Sequence, residues 1–599
     1  MKSRLSKKAL RGPGARWVLA SCLGAASLAP VTGQALEYQW DEINLVWDSS
    51  ISLGAAWRAE GRDGDLIGIS NGGRAYSTNG DDGNLAYSGG DPINAGMKYT
   101  ADVSVNYRSV GLFIRGTYRY DHINEDKQFF NSENYQGAPF FTQNGDNLSD
   151  KRNDVRDEIG NNLDLLDAYI HGDFDLAGNS IGYKIGRQVL NWGESLFIPN
   201  GLNSIISANV NRLHAPGFEL EELYEPAAMT VLNFDLSDTI NVEAFYQWEW
   251  EKTVIDASGT YWASNDFAGI GGNAAEIGFG RCRENSAAGV CTFAPGGSAI
   301  PRGPDIEPDD GGQYGVAMHI FLPELNEMDL GIYAANYHSR LPLSSGNAVL
   351  VPGVAPSGRY SIEYPEDIQI YGLSFNTVVG DWSLQGEYSY KKDQPLQIDD
   401  VELFLAGLRA GFPSQVGSPG AGEFIQGWER FDVSQIDIST IRIFGPIEAI
   451  RSDQMILLIE VGAMQVHSMP SEDDLRLEGP GTYLPGNPVV AAAVGVPVQD
   501  GGYADATSWG YRVGVRLDYN NVFNRFTVEP SFMFAHDVHG TSPTPILNFV
   551  EDRKQLSSTL NIRYLSWEGG LSYTRYSGGE PFNLIADRDF FSVFMRYSW

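Results

Sequence analysis

Along much of the chain, apolar and polar residues alternate one by one. Trp509, Tyr511, Val513, Val515, Leu517 and Tyr519 share one face, against Gly510, Arg512, Gly514, Arg516 and Asp518 on the other. Asn520 and Asn521 supply turn chemistry, after which Phe526, Val528, Phe532 and Phe534 resume against Thr527, Glu529 and Ser531. Side chains point to opposite sides of a β-strand in turn, so each such segment has one oily and one wet surface. The same hairpin pattern recurs at 99–107 with 112–120, at 382–390 and at 240–250.

Alternation alone also fits a soluble sandwich of two sheets. Two features favour a membrane barrel instead. Tyrosines bracket the apolar faces, as Tyr99 and Tyr107 do around Ala101–Val105 and Tyr511 and Tyr519 around Val513–Leu517. Eight residues of strand reach ~26 Å, about 20 Å of depth when tilted, close to the lipid-facing band between aromatic girdles. The joins also alternate between tight and long.

Strands are predicted at 45–58, 97–108, 111–122, 162–175, 181–190, 228–235, 239–251, 313–322 and 328–338. Others are predicted at 367–378, 382–391, 431–444, 454–466, 507–519, 524–537, 555–565, 569–577 and 589–599. The joins near 109, 178, 237, 325, 380, 448, 522 and 567 are short, and most of those between are long. The expected fold is all-β: a transmembrane, antiparallel up-and-down barrel of about 18 strands, with 16 as the alternative, short periplasmic turns and long outer loops. Apolar residues at alternate positions, Phe591, Val593, Met595, Tyr597 and Trp599, run to the chain end. They resemble the terminal insertion signal of bacterial barrel proteins, carried by Tyr597 and Trp599. Closure would also remove an apolar edge strand that invites aggregation.

One long join differs from the rest. Residues 191–227 begin apolar, with Leu196, Phe197, Ile198, Leu202, Ile205 and Ile206, and end acidic, with Glu219, Glu221, Glu222 and Glu225; Arg212 and His214 lie between. An outer loop this apolar needs a surface to cover it. Folding into the lumen as a constriction is the expectation, and docking on an outer loop or a neighbouring subunit is the alternative. Constriction candidates are Leu196, Phe197, Ile198, Arg212, His214, Glu219, Glu221, Glu222 and Glu225. The polar strand faces supply lumen-lining candidates: Arg115, Arg119, Glu243, Glu249, Glu387, Arg512, Arg516 and Glu529.

Charge and cysteines sharpen the class. Residues 1–35 read as a secretory signal: a basic start, an apolar run from Trp17 to Ala29, and small residues Gly33 and Ala35 before the cut. A lipoprotein box ending at Cys22 is the weaker alternative, since its apolar run is short. The rest, 36–599, reads as one barrel. With the six basic residues of the signal gone, 36 basic against 76 acidic side chains leave a charge of −40. Such a surface speaks against nucleic acid. Cys282 and Cys291, the pair that remains, are expected to form a loop disulfide.

Several motifs lack the context their chemistry needs. Gly68–Gly72 matches a hydrolase nucleophile elbow but lies in a Gly/Asp-rich loop. Gly269–Ala274 matches a dinucleotide fingerprint without a βαβ unit around it. The eight histidines show no zinc spacing, and His338, Ser339 and Arg340 form the only suggestive cluster. Asp63, Asp65, Asp81, Asp82 and Asp91 crowd the first long join without the order of a calcium loop, so a solvated acidic loop is expected. Residues 399–411 are expected to form a short amphipathic helix.

The string G-R-Q-V-L-N-W-G-E-S from 186, followed by N-V-N-R-L-H-A-P-G-F-E-L-E-E ending at 222, resembles a proteobacterial outer-membrane family labelled domain of unknown function 1302. D-D-G-N-L at 81–85, E-A-F-Y-Q-W-E-W-E-K-T at 243–253, Y-H-S-R-L-P at 337–342 and the aromatic terminus extend the likeness over nearly all the chain after the signal. The resemblance implies a porin-like barrel in the bacterial outer membrane and carries over no catalytic or ligand residues. Members accompany lipid or steroid transport and catabolic functions, which implies a hydrophobic or amphipathic solute. The reading is a channel or carrier for small molecules, not an enzyme, without cofactor or metal. Its partners would be outer-membrane lipid and lipopolysaccharide, the barrel-assembly machinery and a small-molecule solute. An adhesin or assembly partner acting through its loops, or an outer-membrane hydrolase, are the alternatives.

Overall fold

The computed structural model describes residues 36–127, 148–176 and 179–599, so the expected signal and the join at 178 lie outside the described residues. Eighteen strands close a ring. In chain order they begin β1 (Ile43–Arg58), β2 (Pro92–Tyr107), β3 (Val110–Asp121), β4 (Asn161–Leu176), β5 (Asn179–Gln188) and β6 (Ala227–Ser237). Next come β7 (Ile240–Gln247), β8 (Gln313–Leu322), β9 (Met328–Tyr337), β10 (Ile368–Val379), β11 (Trp382–Gln397) and β12 (Trp428–Phe444). The last are β13 (Gln454–Val466), β14 (Thr507–Val522), β15 (Phe526–His539), β16 (Lys554–Tyr564), β17 (Trp567–Ser577) and β18 (Phe590–Ser598). Each pairs antiparallel with its neighbours in sequence, and β18 closes on β1 from Ser50 opposite Ser598 to Arg58 opposite Phe590.

The edges at the seam are covered. A short strand, Leu36–Trp40, lies on Ile43–Trp47 of β1, the stretch that β18 does not reach. Trp599 exchanges both main-chain hydrogen bonds with Ser49, at 2.9 Å each. The terminal aromatic residues cluster: Tyr597 stacks on Trp599, Trp567 lies tilted against Tyr597, and Tyr99 packs beside Trp599.

Burial on the barrel is inverted relative to a soluble protein. Outward residues are large and apolar yet exposed: Leu373 is 49%, Leu571 55% and Phe591 52% exposed. Inward residues are polar yet buried, among them Lys98, Ser389 and Glu460 at 1% or less. Strand period and closure therefore place the oily face outside.

The strand expected at 239–251 stops at Gln247. Trp250 turns away to pack on Tyr364 in an outer cluster with Phe267, Ile300 and Ile362, which outweighs the local alternation. A helix, Asp400–Gly407, sits within 399–411; Val401 and Leu405 pack on Val490 and Phe279 of neighbouring loops. Cys282 and Cys291 are disulfide-bonded. The acidic first join is not uniformly solvated. Asp63 and Asp65 are exposed and pair with Arg74, but Asp81 and Asp82 are buried. Gly80 and Gly83 lack the Cβ that would collide with the main chain of Ser264 and Thr260, so this loop packs directly against the one at 248–312.

Candidate functional site

The segment 189–226 leaves β5 and returns to β6, yet its contacts reach around the ring. Its apolar first part packs on β7–β10. Leu190, Trp192, Leu202 and Ile205 join Phe245, Ala317, Tyr333, Ala335 and Ile370 in one cluster. Ile198 reaches further, to Leu396, Val433, Met464 and Val466 of β11–β13. Glycines on the wall make room for these side chains. A Cβ at Gly462 would stand 2.6 Å from Ile198, one at Gly315 2.9 Å from Trp192, and one at Gly372 would strike Leu202.

Two wall carboxylates then grip the main chain of this part. Glu387 on β11 accepts the N–H groups of Glu194 (2.6 Å), Ser195 (3.0 Å) and Leu202 (2.8 Å). Glu460 on β13 accepts those of Leu196 (2.7 Å) and Phe197 (2.8 Å). A turn that leaves several N–H groups free is a natural seat for a carboxylate, and hydrogen bonds to a charged acceptor are the strong ones. Lys391 Nζ donates to the carbonyl of Asn200 at 2.5 Å, and Gln435 donates to that of Pro199 at 3.0 Å. Trp192 Nε1 donates to Glu243 at 2.6 Å.

The second part, 207–226, is held by side-chain charge on β2–β4 and β18. Lys98 donates to Glu222 (2.5 Å) and to the carbonyl of Gly217 (2.7 Å). Thr100 donates to the other oxygen of Glu222 at 2.7 Å. Arg115 pairs with Glu221 and Asp102, each at 2.6 Å, and Arg596 with Glu219 at 2.5 Å. Arg212 pairs with Glu225 (2.7 Å) and Asp164 (3.3 Å), and Asp164 also meets Arg119. His214 stacks flat on Trp262, 3.7 Å away, with Asp256 at its Nε2. Pro216 nests at Gly54 of β1, where a Cβ would stand 2.8 Å away.

The four glutamates therefore differ. Glu222 is buried in its bonds to Lys98 and Thr100, so it does not present its charge to a passage. Glu221 is open, with its side chain 69% exposed, and Glu219 is partly so. Glu225 is largely covered, and burial pushes its carboxyl up to about 7 against the pull of Arg212. The apolar candidates differ as well: Ile198 is buried, whereas Leu196 and Phe197 are exposed. Among the remaining wall candidates, Glu249 binds Arg187, Arg512 binds Asp537, Arg516 binds Asp518 and Glu529 binds Arg563.

Two cavities flank the segment. One, of about 330 Å³, lies at the short-turn end near Ser566 and Trp599 and is lined by Asp48, Asp102, Glu219 and Glu221. The other, of about 360 Å³, lies on the long-loop side between Glu158, Lys252 and Arg302. The His338 cluster is engaged in holding main chain: His338 bonds the carbonyl of Gly311 and the N–H of Asp367, Ser339 the carbonyl of Leu341, and Arg340 the carbonyls of Glu251 and Ile205.

The wall residues Glu460, Lys98, Lys391 and Arg596 were not singled out in the sequence. Their partners lie from 124 to several hundred positions away, and nothing local marks them. The glycines at 54, 315, 372 and 462 did carry a signal, because glycine within an alternating strand marks close approach of another backbone or side chain.

Residues 16–599 match the family model described as "Protein of unknown function (DUF1302)". No curated protein matches the sequence. Among solved structures, the chain is similar to OccAB1 of Acinetobacter baumannii (10% identity, 95% of this chain and 99% of that one, TM-score 0.40). It is also similar to Pseudomonas aeruginosa OccK2 (OpdF) in complex with glucuronate (10% identity, 92% and 97%, TM-score 0.38). A BenF-like porin from Pseudomonas fluorescens Pf-5 gives 10% identity over 93% and 98%, with a TM-score of 0.38.

Proposed function

The chain belongs to the DUF1302 family, and from that premise, which assigns no activity, we propose that it is an outer-membrane channel for small amphipathic molecules, narrowed by its own segment 189–226. The observation that carries this reading is the inverted burial together with one segment bonded to strands on several sides of the ring. An outward belt of leucine, phenylalanine and tyrosine suits lipid, and a barrel of eighteen strands is wide enough to leave an aqueous lumen. The segment then divides the lumen, with a cavity on either side.

Leu196 and Phe197 remain exposed although their neighbour Ile198 is buried, which supports an apolar shelf beside the passage. Asp48, Asp102, Glu219 and Glu221 line the short-turn cavity, with Arg115 and Arg596 paired to three of them. A like-charged lining disfavours anions, so neutral or cationic amphipathic solutes are the expected cargo. The purified protein in planar bilayers tests this. Deleting 196–225 should raise single-channel conductance and lower cation preference; a deletion that leaves both unchanged overturns the reading.

A further inference from the structure

The outer loops hold a buried acidic cluster that passage through the barrel does not use. Asp81 and Asp82 come from the first long join, and Asp266 comes from the one at 248–312. One carboxylate oxygen of each lies within 4.8 Å of the other two. All three side chains are buried.

Asp81 is held by one oxygen only. Its Oδ2 accepts the N–H of Gly68 and the side-chain amide of Asn71, both at 2.8 Å. Its Oδ1 is buried and, among the described residues, meets no donor. Thr260, whose carbonyl lies against Gly83 next to Asp82, carries a second buried oxygen that has no partner among the described residues, its hydroxyl. Further acidic groups stand near the cluster. Asn71 also reaches Glu284 at 3.4 Å, a fourth buried carboxylate. Asp266 accepts the N–H of Asp82 at 3.1 Å, and Arg588, itself beside Asp587 and Arg58, acts on Asp266 through its field. Tyr483, from the join at 467–506, faces Asp81 and Asp266 and adds no positive charge. A buried carboxylate oxygen without a donor, as Asp81 Oδ1 is among the described residues, calls for a partner, and a cation shared with two adjacent carboxylates supplies one.

The donor set indicates which partner. Three mutually adjacent oxygens share one ion at bonds of ~2.4 Å, the length calcium makes, when they stand about 4.2 Å apart, a spacing inside the 4.8 Å limit of this cluster. With carboxylate oxygens and no nitrogen or sulfur, the set suits a hard cation rather than zinc or copper. Magnesium bonds are ~2.0–2.1 Å, and that ion keeps several waters, which a closed cluster does not house well. We propose that Asp81, Asp82 and Asp266 bind one calcium ion and that this ion ties the outer join 59–91 to the join 248–312.

The test uses the full chain, purified in detergent and stripped with EGTA. Terbium luminescence, sensitised by nearby tyrosine and tryptophan, should report one saturable site per chain that calcium displaces and equimolar magnesium does not. Asp81→Asn and Asp266→Asn should each weaken calcium competition at least tenfold. A double variant, Asp63→Asn with Asp65→Asn, in the exposed part of the same loop, should leave it unchanged. Limited trypsin digestion of the wild-type protein gives a second reading. Calcium should slow cleavage within 59–91 and 248–312 at least tenfold and leave 398–427 as it was. The proposal is overturned by the absence of a saturable site, by binding that survives both Asp81→Asn and Asp266→Asn, or by equal loss in the 63/65 variant, which would mean an adventitious surface ion only. Should the substituted chains fail to give a heat-modifiable barrel, digestion decides, and cleavage indifferent to calcium overturns the proposal.

Discussion

The two parts of segment 189–226 are fastened in different ways. Residues 190–206 are held by their main chain: five N–H groups end on Glu387 and Glu460, and the side chains drop into recesses left by Gly315, Gly372 and Gly462. Residues 207–226 are held by their side chains, through the pairs of Lys98 with Glu222, Arg115 with Glu221 and Arg596 with Glu219. The first attachment fixes where the chain runs and tolerates many side chains at the gripped positions. The second places named charges at named points and is sensitive to pH, salt and substitution. On the function proposed above, a rigid shelf beside an adjustable charged rim would set pore width with one part and ion preference with the other.

Breaking the grip on the first part should have the largest effect. Glu387→Ala strands three N–H groups, and each buried donor left without an acceptor costs about 1–3 kcal/mol. We expect 190–206 to come free, seen as raised single-channel conductance with noisy substates and a lower unfolding temperature. Glu387→Gln, which keeps one carbonyl oxygen, should fall between Glu387→Ala and wild type.

Lys98→Met attacks the second part at its most buried pair. Leaving Glu222 without its partner should cost about 3–5 kcal/mol, and adding Glu222→Gln should restore much of it. The double-mutant cycle on unfolding temperature checks this, and equal damage from both single and double variants would deny the pairing.

Acidity should act on the second part through Glu225. The carboxyl of Glu225 lies at about 7, above the ordinary value of 4.5. A raised value means that the folded chain holds its proton more firmly than the unfolded chain. The stability this gives is fully present below the ordinary value and is lost as pH rises through about 7. Between pH 8 and 6 the rim also loses negative charge, so cation preference in bilayers should fall while conductance at high salt changes little.

The smallest expected effect is that of Glu221→Gln. This side chain is largely exposed, so stability should change by no more than about 0.5 kcal/mol. The permeability ratio of cations over anions should fall about twofold, an energy of ~0.4 kcal/mol and on the scale of an exposed charge pair.

Much of the barrel was legible because its strands need only a local rule, alternation, repeated between turn signals. All eighteen predicted strands have counterparts, although β7 ends at Gln247, where packing of Trp250 on Tyr364 takes over. The unusual character of 191–227 was legible as well, since six large apolar residues in an otherwise polar join demand cover. What holds it was not. Glu460 lies more than 260 positions from the N–H groups it accepts. Whether a glutamate in an alternating strand faces water or a main chain depends on what lies opposite. The first join misled for the same reason: five aspartates read as solvated, but Gly80 and Gly83 let two of them pack under another loop.

The most direct test of the central claim places a reporter on the rim. With Cys282 and Cys291 bonded to each other, a single introduced thiol can be addressed cleanly. Glu221→Cys, treated with a bulky cationic thiol reagent during a single-channel recording, should lose conductance in one irreversible step. Ile198→Cys, buried against the wall, should be unaffected. Complete labelling of Glu221→Cys, proved by mass, with no change in current would mean that this segment does not border the path and would contradict the account.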